Sequence, residues 1–372
     1  MKFAVEKQVF LKGLAKIQGI VEKKNTIPVL ANVLITAEED RLCLTATDLE
    51  VGMRAFYPAR IDSAGSITVS AKKLYEIIRE LPEGEISFRA KKNCWIEIRG
   101  GKALFNLVGL SPEEFPFFPT ADDNESISLQ SNILSTMIEK TAFAMSADET
   151  KYNLNGIFFK THEEDGQHFL VMVATDGHRL AKIRRTIDQT SVPQLQKGVI
   201  FPRKGIFELK KIAEEGEDQI KLGFLENSAI ISKGDTTVVM RLIDGEFPEY
   251  ERVIPTGNNL TAHISSETFL HALRRMATLS SEKSKGVRIS LKDGQMEISS
   301  SNPELGDARE DIEVEYSGQE VAIGFNARYL LDILQSIDEE KVAFHLKDNL
   351  SPGLMTPVED KNFLAVIMPM RL

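Results

Sequence analysis

The stretch LTATDLEVGMR at residues 44–54 returns as MVATDGHRLAK at 172–182 and again as ISSSNPELGDA at 298–308. Each copy holds an aspartate or asparagine at the same place, and these are 128 and 126 residues apart: Asp48, Asp176 and Asn302. Helical segments recur as well, as AKKLYEIIREL, RKGIFELKKIA and ARYLLDILQSI. A repeat of about 125 residues has the length of a whole domain rather than of a solenoid unit. The chain therefore predicts three similar domains in tandem.

Polar, turn-rich segments at 121–126 and 255–260 separate these domains. The predicted limits are 1–124, 125–256 and 257–372. Within each domain, apolar residues recur at helical spacing, as they do in the first helix: Phe10, Leu14, Ile17 and Val21. Short alternating strands with hairpin turns follow. The sequence predicts an α+β fold of three tandem similar domains, each with two helices packed on antiparallel sheets.

Composition excludes several classes of protein. The chain has 372 residues, 42% of them hydrophobic, and a net charge of −10. No apolar run approaches the roughly 18 residues of a membrane span, and the N-terminal segment lacks the apolar region of a signal peptide. Two cysteines, Cys43 and Cys94, cannot form a disulfide framework and indicate a reducing compartment. We therefore expect a cytoplasmic protein without membrane association.

Positive charge is concentrated on the predicted helices. Six helical segments together carry +10, which leaves −20 on the strands and loops. These segments are 7–24, 71–81, 131–146, 203–213, 266–285 and 326–337. Two interpretations stay open at this point. Lysine and arginine are good helix formers, so the helices can simply be solvated, or a helical surface faces a polyanion.

Known catalytic motifs are absent from the sequence, including the P-loop, GxSxG and HExxH. The strongest catalytic candidate is Asp176 with His178, which are spaced to orient a base or ligate a metal. The other repeats replace His178 with Glu50 and Glu304, and aspartate is typical of turns, so a structural turn is favoured. We expect no enzymatic activity, no metal and no cofactor, with a hydrolase using Asp176 and His178 as an alternative.

Two features set the second repeat and the C-terminus apart. Gly177-His178-Arg179-Leu180 has no equivalent in the other repeats. The last residues, VIMPMRL at 366–372, are apolar and rich in methionine, which suits surfaces that adapt to several ligands. These features predict a binding surface, although the tail can also be a last core strand.

The chain resembles the bacterial DNA polymerase sliding clamps, the β subunits of replicative polymerases, over its whole length. Matching stretches include IPVLANVLI (27–35), LNGIFF (154–159), FPRKGI (201–206), DGEFPEYERVIP (244–255), SEKSKGVRI (281–289) and GFNARYLLDIL (324–334). The resemblance implies a DNA-clamp fold in which a head-to-tail homodimer closes a ring around duplex DNA, with helices lining the hole. It also implies a non-catalytic processivity factor that tethers a polymerase without sequence preference.

The resemblance implies particular partners. They are duplex DNA, the DNA polymerase III catalytic subunit, a clamp loader that hydrolyses ATP in trans, and other DNA polymerases and repair proteins that bind through short linear motifs. A repeat scaffold that binds proteins without DNA is the alternative function.

The family's functional residues carry over position by position. Those implied in peptide binding are Leu154, Thr175, Gly177, His178, Arg179, Leu180, Pro248, Arg252, Val253, Tyr329, Val366, Met368, Pro369, Met370 and Arg371. Those implied in DNA binding are Lys24, Arg203 and Lys204, and charge adds Lys283 and Lys285. The implied dimer interface lies near Phe105, Thr278 and Leu279. Relatives often have two adjacent aromatic residues before Leu154, where this chain has Tyr152 followed by Asn153.

Overall fold

The computed structural model describes residues 1–21, 27–119, 126–188, 192–216, 218–280 and 285–371. Its helices are α1 Lys7–Ile17, α2 Ala71–Glu80, α3 Ser131–Ala142, α4 Pro193–Lys197, α5 Arg203–Ala213, α6 Ser266–Ala277 and α7 Ala327–Gln335. Its strands are β1 Lys2–Glu6, β2 Asn32–Glu38, β3 Arg41–Thr47, β4 Val51–Pro58, β5 Arg60–Ser63, β6 Gly65–Ser70, β7 Glu85–Ala90, β8 Trp95–Gly100, β9 Ala103–Leu110, β10 Ser126–Gln130, β11 Gly156–Glu164, β12 Gln167–Thr175, β13 Arg179–Ile187, β14 Val199–Pro202, β15 Gln219–Leu225, β16 Ser228–Lys233, β17 Thr236–Arg241, β18 Leu260–Ser265, β19 Gly286–Lys292, β20 Gln295–Asn302, β21 Gly306–Glu313, β22 Val321–Asn326, β23 Lys341–Leu346, β24 Gly353–Pro357 and β25 Phe363–Ile367.

The order of elements repeats three times along the chain. A strand, a helix and three strands occur twice in each repeat, with β5 and α4 as insertions. This confirms the predicted α+β fold with two main helices in each repeat. The helices are shorter than predicted, since α1 ends at Ile17 and leaves Val21 outside it, and α6 ends at Ala277.

Contacts between residues divide the described chain into two compact units. Unit 1 comprises Met1–Asn132 and Phe207–Leu242, and unit 2 comprises Ile133–Ile206 and Ile243–Leu372. Unit 1 holds a 13-stranded sheet of order β10-β15-β16-β17-β4-β3-β2-β6-β9-β8-β7-β1-β5. Unit 2 holds an eight-stranded sheet, β14-β11-β12-β13-β25-β24-β23-β18, and a four-stranded sheet, β21-β20-β19-β22.

Sheets continue across the predicted domain limits. In unit 1, β4 of the first repeat pairs antiparallel with β17 of the second. In unit 2, β13 of the second repeat pairs antiparallel with β25 of the third. We call such a strand pair a domain seam. Both seams join the fourth strand of one repeat to the last strand of the next, so they are equivalent.

Helices cover one face of each sheet and supply its core. In unit 1 the rings of Phe3 and Phe88 stack with centroids 4.6 Å apart, and Phe10 of α1 meets Phe88 edge-on at 5.1 Å. All three side chains are almost completely buried. Burying a side chain of this size contributes about 2–3 kcal/mol. The apolar stripe of α1 therefore fixes the helix on the sheet.

The repeated Asx residues stabilise three equivalent turns. Asp48 Oδ1 accepts hydrogen bonds from the backbone N–H groups of Glu50 and Val51 at 2.9 and 2.7 Å. Asp176 and Asn302 each accept one from the residue two positions later, at 2.9 and 3.0 Å. This confirms the structural interpretation of the motif, and it aligns the strands on either side of each turn.

Candidate functional site

A small apolar cavity lies in unit 2 beside the seam between β13 and β25. We call it the peptide cavity; its volume is about 120 Å³. Its lining is Leu154, Thr175, Gly177, Arg179, Leu180, Pro248, Tyr250, Val253, Val366 and Met368. Leu180 lies directly opposite Val366 in the seam, and Met368 N–H donates to His178 O at 2.9 Å. The structure thus brings together the Gly-His-Arg-Leu set and the methionine-rich tail.

A packed apolar cluster lies beneath the cavity. It contains Leu180, Val366 and Tyr250, which are 1–6% exposed. Phe158 and Phe247 pack against this cluster and stack on each other with centroids 4.9 Å apart. Residues packed this tightly sit in low-energy rotamers, so the buried side of the cavity has little freedom to change shape.

Tyr250 is a lining residue that the sequence analysis missed. It begins a short 3-10 turn, Tyr250–Arg252, and its ring lies 5.4 Å from Lys182 Nζ. Burial raises the pKa of the Tyr250 phenol and lowers the pKa of the Lys182 ammonium group. The repeat alignment contains a signal for this residue. Since Phe115 aligns with Phe247, Tyr250 aligns with Phe118 of the first repeat, which is buried.

Arg179 lines the cavity, but its guanidinium group is already bonded within the protein. Its side chain is 9% exposed and forms ion pairs with Asp176 at 3.1 Å and Asp332 at 2.5 Å. It also donates to Phe143 O, and it lies over the Tyr329 ring at 4.4 Å. Arg179 is therefore a wall and a positioning residue rather than a free cation for a ligand.

The turn before β13 is fixed by its own hydrogen bonds. Gly177 has φ +91°, a conformation that favours glycine, and an added Cβ would meet Lys151 Nζ at 3.8 Å, an ordinary contact. Thr175 Oγ1 accepts from Gly177 N–H at 3.1 Å and donates to Arg179 O at 2.6 Å. Both carboxylate oxygens of Asp176 are used, one by the turn and one by Arg179. Nothing in this geometry supports the alternative of a hydrolase.

Six of the predicted peptide-binding residues do not line the cavity. They are His178, Arg252, Tyr329, Pro369, Met370 and Arg371. The His178 ring lies 6.4 Å from the Tyr329 ring, and both lie beside Arg179. Arg252 is exposed and pairs with Glu249 at 2.5 Å. These side chains stay proposed ligand contacts.

Asn153 connects two walls of the cavity. Its Nδ2 donates to Glu246 O at 3.0 Å and so ties the 3-10 turn Tyr152–Leu154 to the loop before Phe247. Tyr152 is 60% exposed and lies close to Gly245, where an added Cβ would approach its ring at 3.1 Å. In place of a second aromatic ring, this chain has a hydrogen bond at this wall.

The predicted DNA-binding residues fall in different environments. Lys24 and Lys283 lie outside the described residues. Arg203 and Lys204 begin α5 and are half-buried, and Arg203 Nη1 lies 3.5 Å from the backbone oxygens of Met145 and Ser146. The remaining residue, Lys285, is exposed just before β19.

Part of the positive charge on the helices is paired, which the sequence analysis did not anticipate. The buried Lys7 ammonium group donates to Leu81 O at 2.5 Å, and Lys16 pairs with Glu215. Within the described ranges, the exposed helical cations without an ion-pair partner include Lys12, Arg274 and Arg328. The cationic helix surface is therefore weaker than the net charge of the segments suggests.

The predicted interface residues lie on β9, whose residues 103–108 pair on one side only among the described strands, and just after α6. Phe105 is on β9 and is 37% exposed. Thr278 and Leu279 directly follow α6, which packs on β21.

Three models of one family match successive parts of the chain. They describe the N-terminal, central and C-terminal domains of the DNA polymerase III beta subunit and match residues 1–119, 128–249 and 251–371. The chain belongs to the DNA polymerase III beta subunit family. The three-domain clamp fold is thereby confirmed, while the limits at 124 and 256 stay our proposal.

Named relatives of the DNA polymerase III beta subunit family agree. The beta sliding clamp of Caulobacter vibrioides strain NA1000 is 38% identical over 375 residues, and that of Escherichia coli K12 is 35% identical over 374. Crystal structures of the Caulobacter crescentus clamp and of a Pseudomonas aeruginosa clamp bound to griselimycin superpose with TM-scores of 0.95 and 0.93 at 38% and 35% identity. All four alignments cover 100% of both chains.

The function follows from membership of this family. Members are sliding clamps, and the chain is a non-catalytic processivity factor of DNA replication. None of the helices in the described part of the chain is long and apolar enough to cross a membrane.

Proposed function

We propose that two copies of the chain close head-to-tail into a ring around duplex DNA. The observation that carries this proposal is the pair of equivalent domain seams, β4 with β17 and β13 with β25. By the same rule β21 should pair with the last strand of a first repeat, β9. Among the described strands, β21 is a sheet edge and residues 103–108 of β9 pair on one side only. Unpaired edges favour association, and closure of a ring removes them.

The equivalence of the seams also specifies the register. Met53 pairs with Val238 in the first seam. Ala308 corresponds to Met53, because their strand partners Ser300 and Ala46 both lie two residues before the Asx turn. Phe105 corresponds to Val238, since each is the third residue after a two-residue hairpin turn. We infer that Phe105 of one copy lies opposite Ala308 of the other, on the face where Leu279 follows α6.

Disulfide cross-linking tests this register. Asn106 and Asp307 are exposed and would lie directly opposite each other across the interface. The double variant N106C/D307C should form covalent dimers on mild oxidation. In the matched control N106C/D311C the second cysteine is displaced by about 13 Å along β21, so little cross-linking is expected. Equal cross-linking of both variants contradicts the proposed register.

The proposed ligand of the ring is duplex DNA, held without sequence preference. Exposed helical cations such as Lys12, Arg274 and Arg328, with Lys204 at the start of α5, supply the electrostatic attraction. Contacts to phosphates alone carry no sequence information, which suits a protein that slides. Retention on circular DNA and release after linearisation test the function, and a scaffold that does not encircle DNA fails this test.

The peptide cavity is proposed to bind short linear motifs of the DNA polymerase III catalytic subunit and of other polymerases and repair proteins. An apolar cavity with a rigid floor suits leucine and aromatic anchors. The exposed Met368 at its edge adapts to different ligands. A clamp loader that hydrolyses ATP in trans is proposed to open the ring, and the cytoplasm is the proposed location.

A further inference from the structure

A second concave surface in unit 2 differs in character from the peptide cavity. We call it the basic groove; it has a volume of about 1090 Å³ and lies on the four-stranded sheet. Its charged lining residues are Arg288, Arg309, Arg371 and Asp307. On a chain with a net charge of −10, three arginines beside one aspartate are a local concentration of positive charge. Such a concave positive surface attracts anionic groups.

The basic groove faces away from the helices of the third repeat. Arg275 Nε of α6 donates to the carboxylate of Glu310 on β21 at 2.8 Å, which identifies the helix side of the sheet. Side chains alternate along a strand, so Arg309 points to the opposite side. The register places Arg309 opposite Ser299, and Ser299 opposite Arg288. The Cα atoms of the two arginines therefore lie on either side of Ser299, two strand spacings or about 10 Å apart.

Two of the three arginines have no ion-pair partner within the described ranges. Arg288 and Arg371 are exposed and form no ion pair with any described residue, whereas Arg309 lies 3.6 Å from Glu297. An unpaired, hydrated guanidinium group is suited to bind a carboxylate in bidentate geometry. Arg288 is on β19, an inner strand and the third from β21, the edge proposed to join two copies.

The residues that follow β25 connect the basic groove with the peptide cavity. Met368 lines the cavity, Met370 N–H donates to Gly324 O at 2.8 Å beside β22, and Arg371 lines the groove. Three residues of extended chain span about 10 Å. An extended peptide anchored in the cavity therefore reaches the groove with the three to five residues that flank its anchor.

We propose that the basic groove binds acidic residues that flank the apolar anchor of a bound peptide. This inference rests on the peptide-binding function proposed for the cavity. The carboxylates of an acidic segment are opposite in charge to Arg288 and Arg371. The residues from Met368 to Arg371 run from the cavity to the groove. DNA phosphates are the less favoured ligand, because the groove lies on the sheet face opposite α6.

Three fluorescein-labelled peptides test the proposal by fluorescence anisotropy with the full-length protein. Each ends in a leucine and a phenylalanine, the kinds of anchor proposed for the cavity, preceded by four glutamates, four glutamines or four lysines. We expect the glutamate peptide to bind about fivefold more tightly than the glutamine peptide, as for one or two exposed ion pairs, and the lysine peptide more weakly. The advantage should shrink as salt rises from 50 to 300 mM.

Arg288→Gln should reduce the fivefold advantage to about twofold and leave the glutamine peptide unaffected. Lys292→Gln is the matched control, since Lys292 lies on the same face of β19, about 13 Å away and outside the groove lining. If the glutamine peptide binds but glutamates give no advantage, this inference is wrong and the cavity assignment stands. If no peptide binds, the cavity assignment itself fails. If Arg288→Gln weakens retention on circular DNA instead, the groove is a DNA site.

Discussion

Arg179 and Asp332 are 153 residues apart in the chain, yet their side chains meet at 2.5 Å and join the turn beside the peptide cavity to α7. Arg179 also pairs with Asp176. The wall of the cavity is thus held from the third repeat as well as from the second. This relationship separates residues that shape the cavity from residues that contact its ligand.

Asp332→Asn should weaken the attachment of Arg179 to α7 while leaving a side chain of the same size in place. The amide keeps a hydrogen-bond acceptor but loses the charge, so we expect a loss of about 1–2 kcal/mol of stability. Peptide affinity should fall about three- to tenfold through loss of positioning. Isothermal titration and thermal unfolding measure the two effects. Unchanged affinity together with lowered stability would mean that the pair stabilises the fold only.

Met368 should contribute more to peptide binding than Met370, because only Met368 lines the cavity. We expect Met368→Ala to weaken binding about tenfold, and Met370→Ala less than twofold. Deletion of Met368 to Leu372 should abolish binding. The internal seam should persist through the pairing of Val366 with Leu180, and the proposed dimer interface between β9 and β21 does not include the deleted residues. Anisotropy titrations compare the variants, and equal effects of both alanine substitutions would extend the site beyond the cavity.

Leu279→Asp should separate the two copies. It places a charge at the interface proposed beside Phe105, and burying an unpaired charge there is strongly unfavourable. Leu350→Asp is the control, because Leu350 is 70% exposed elsewhere in unit 2. Sedimentation equilibrium should show monomers for the first variant and dimers for the second. A dimeric Leu279→Asp protein would place the interface elsewhere.

Replacing Arg203 and Lys204 with glutamate should weaken DNA association and flatten its salt dependence, because fewer counterions are released. The structure refines this expectation. Arg203 contacts the backbone oxygens of Met145 and Ser146, so its replacement also removes a structural contact. The single variant Lys204→Glu therefore separates the effect of charge from that of structure. Lys292→Glu, on the sheet face, should leave retention on circular DNA unchanged. A strong preference for one DNA sequence in any of these proteins contradicts sliding.

His345 should make stability depend on pH. Its ring nitrogens lie 2.9 and 3.0 Å from the hydroxyls of Thr261 and Thr356, and burial, followed by the charge of His263, lowers its pKa below 6.5. The unfolded chain therefore binds a proton at a higher pH than the folded chain. As pH falls through 6.5 toward the pKa of the folded state, the contribution of His345 to the free energy of unfolding decreases.

His345→Gln should remove this effect. Between pH 7.5 and 5.5 we expect the melting temperature of the variant to fall by about 1–3 °C less than that of the wild type. His162→Gln, at an exposed position on β11, is the control and should behave like the wild type. An identical fall in all three proteins would show that His345 makes no contribution.

Local patterns were sufficient to predict the fold. Helical spacing in α1 and the Asx turns at Asp48, Asp176 and Asn302 are properties of short segments, and their repetition reveals the domains. The end of α1 was misplaced because Val21 continues the apolar spacing after the helix has stopped. Helix ends depend on capping and tertiary contacts as well as on periodicity.

The site was only partly predictable, for a physical reason. Gly177 belongs to a set that the other two repeats lack, and Met368 belongs to the methionine-rich tail. Both were predicted from these features, and both line the cavity. The state of Arg179 could not be read from the sequence, because Asp332 and Phe143 reach it through folding alone. Similarly, the pairing of Lys7 with Leu81 O removes a cation that net charge counts as available.

The two seams within the chain are backed by covalent linkage, whereas the proposed seam between β9 and β21 is not. Met368 N–H donates to His178 O at one internal seam, and Arg241 N–H donates to Glu50 O at the other. Rupture of either internal seam would leave a closed loop of polypeptide. In the proposed ring, the seam between copies is therefore the one whose opening admits or releases DNA, and the lifetime of that seam limits how long a polymerase stays tethered.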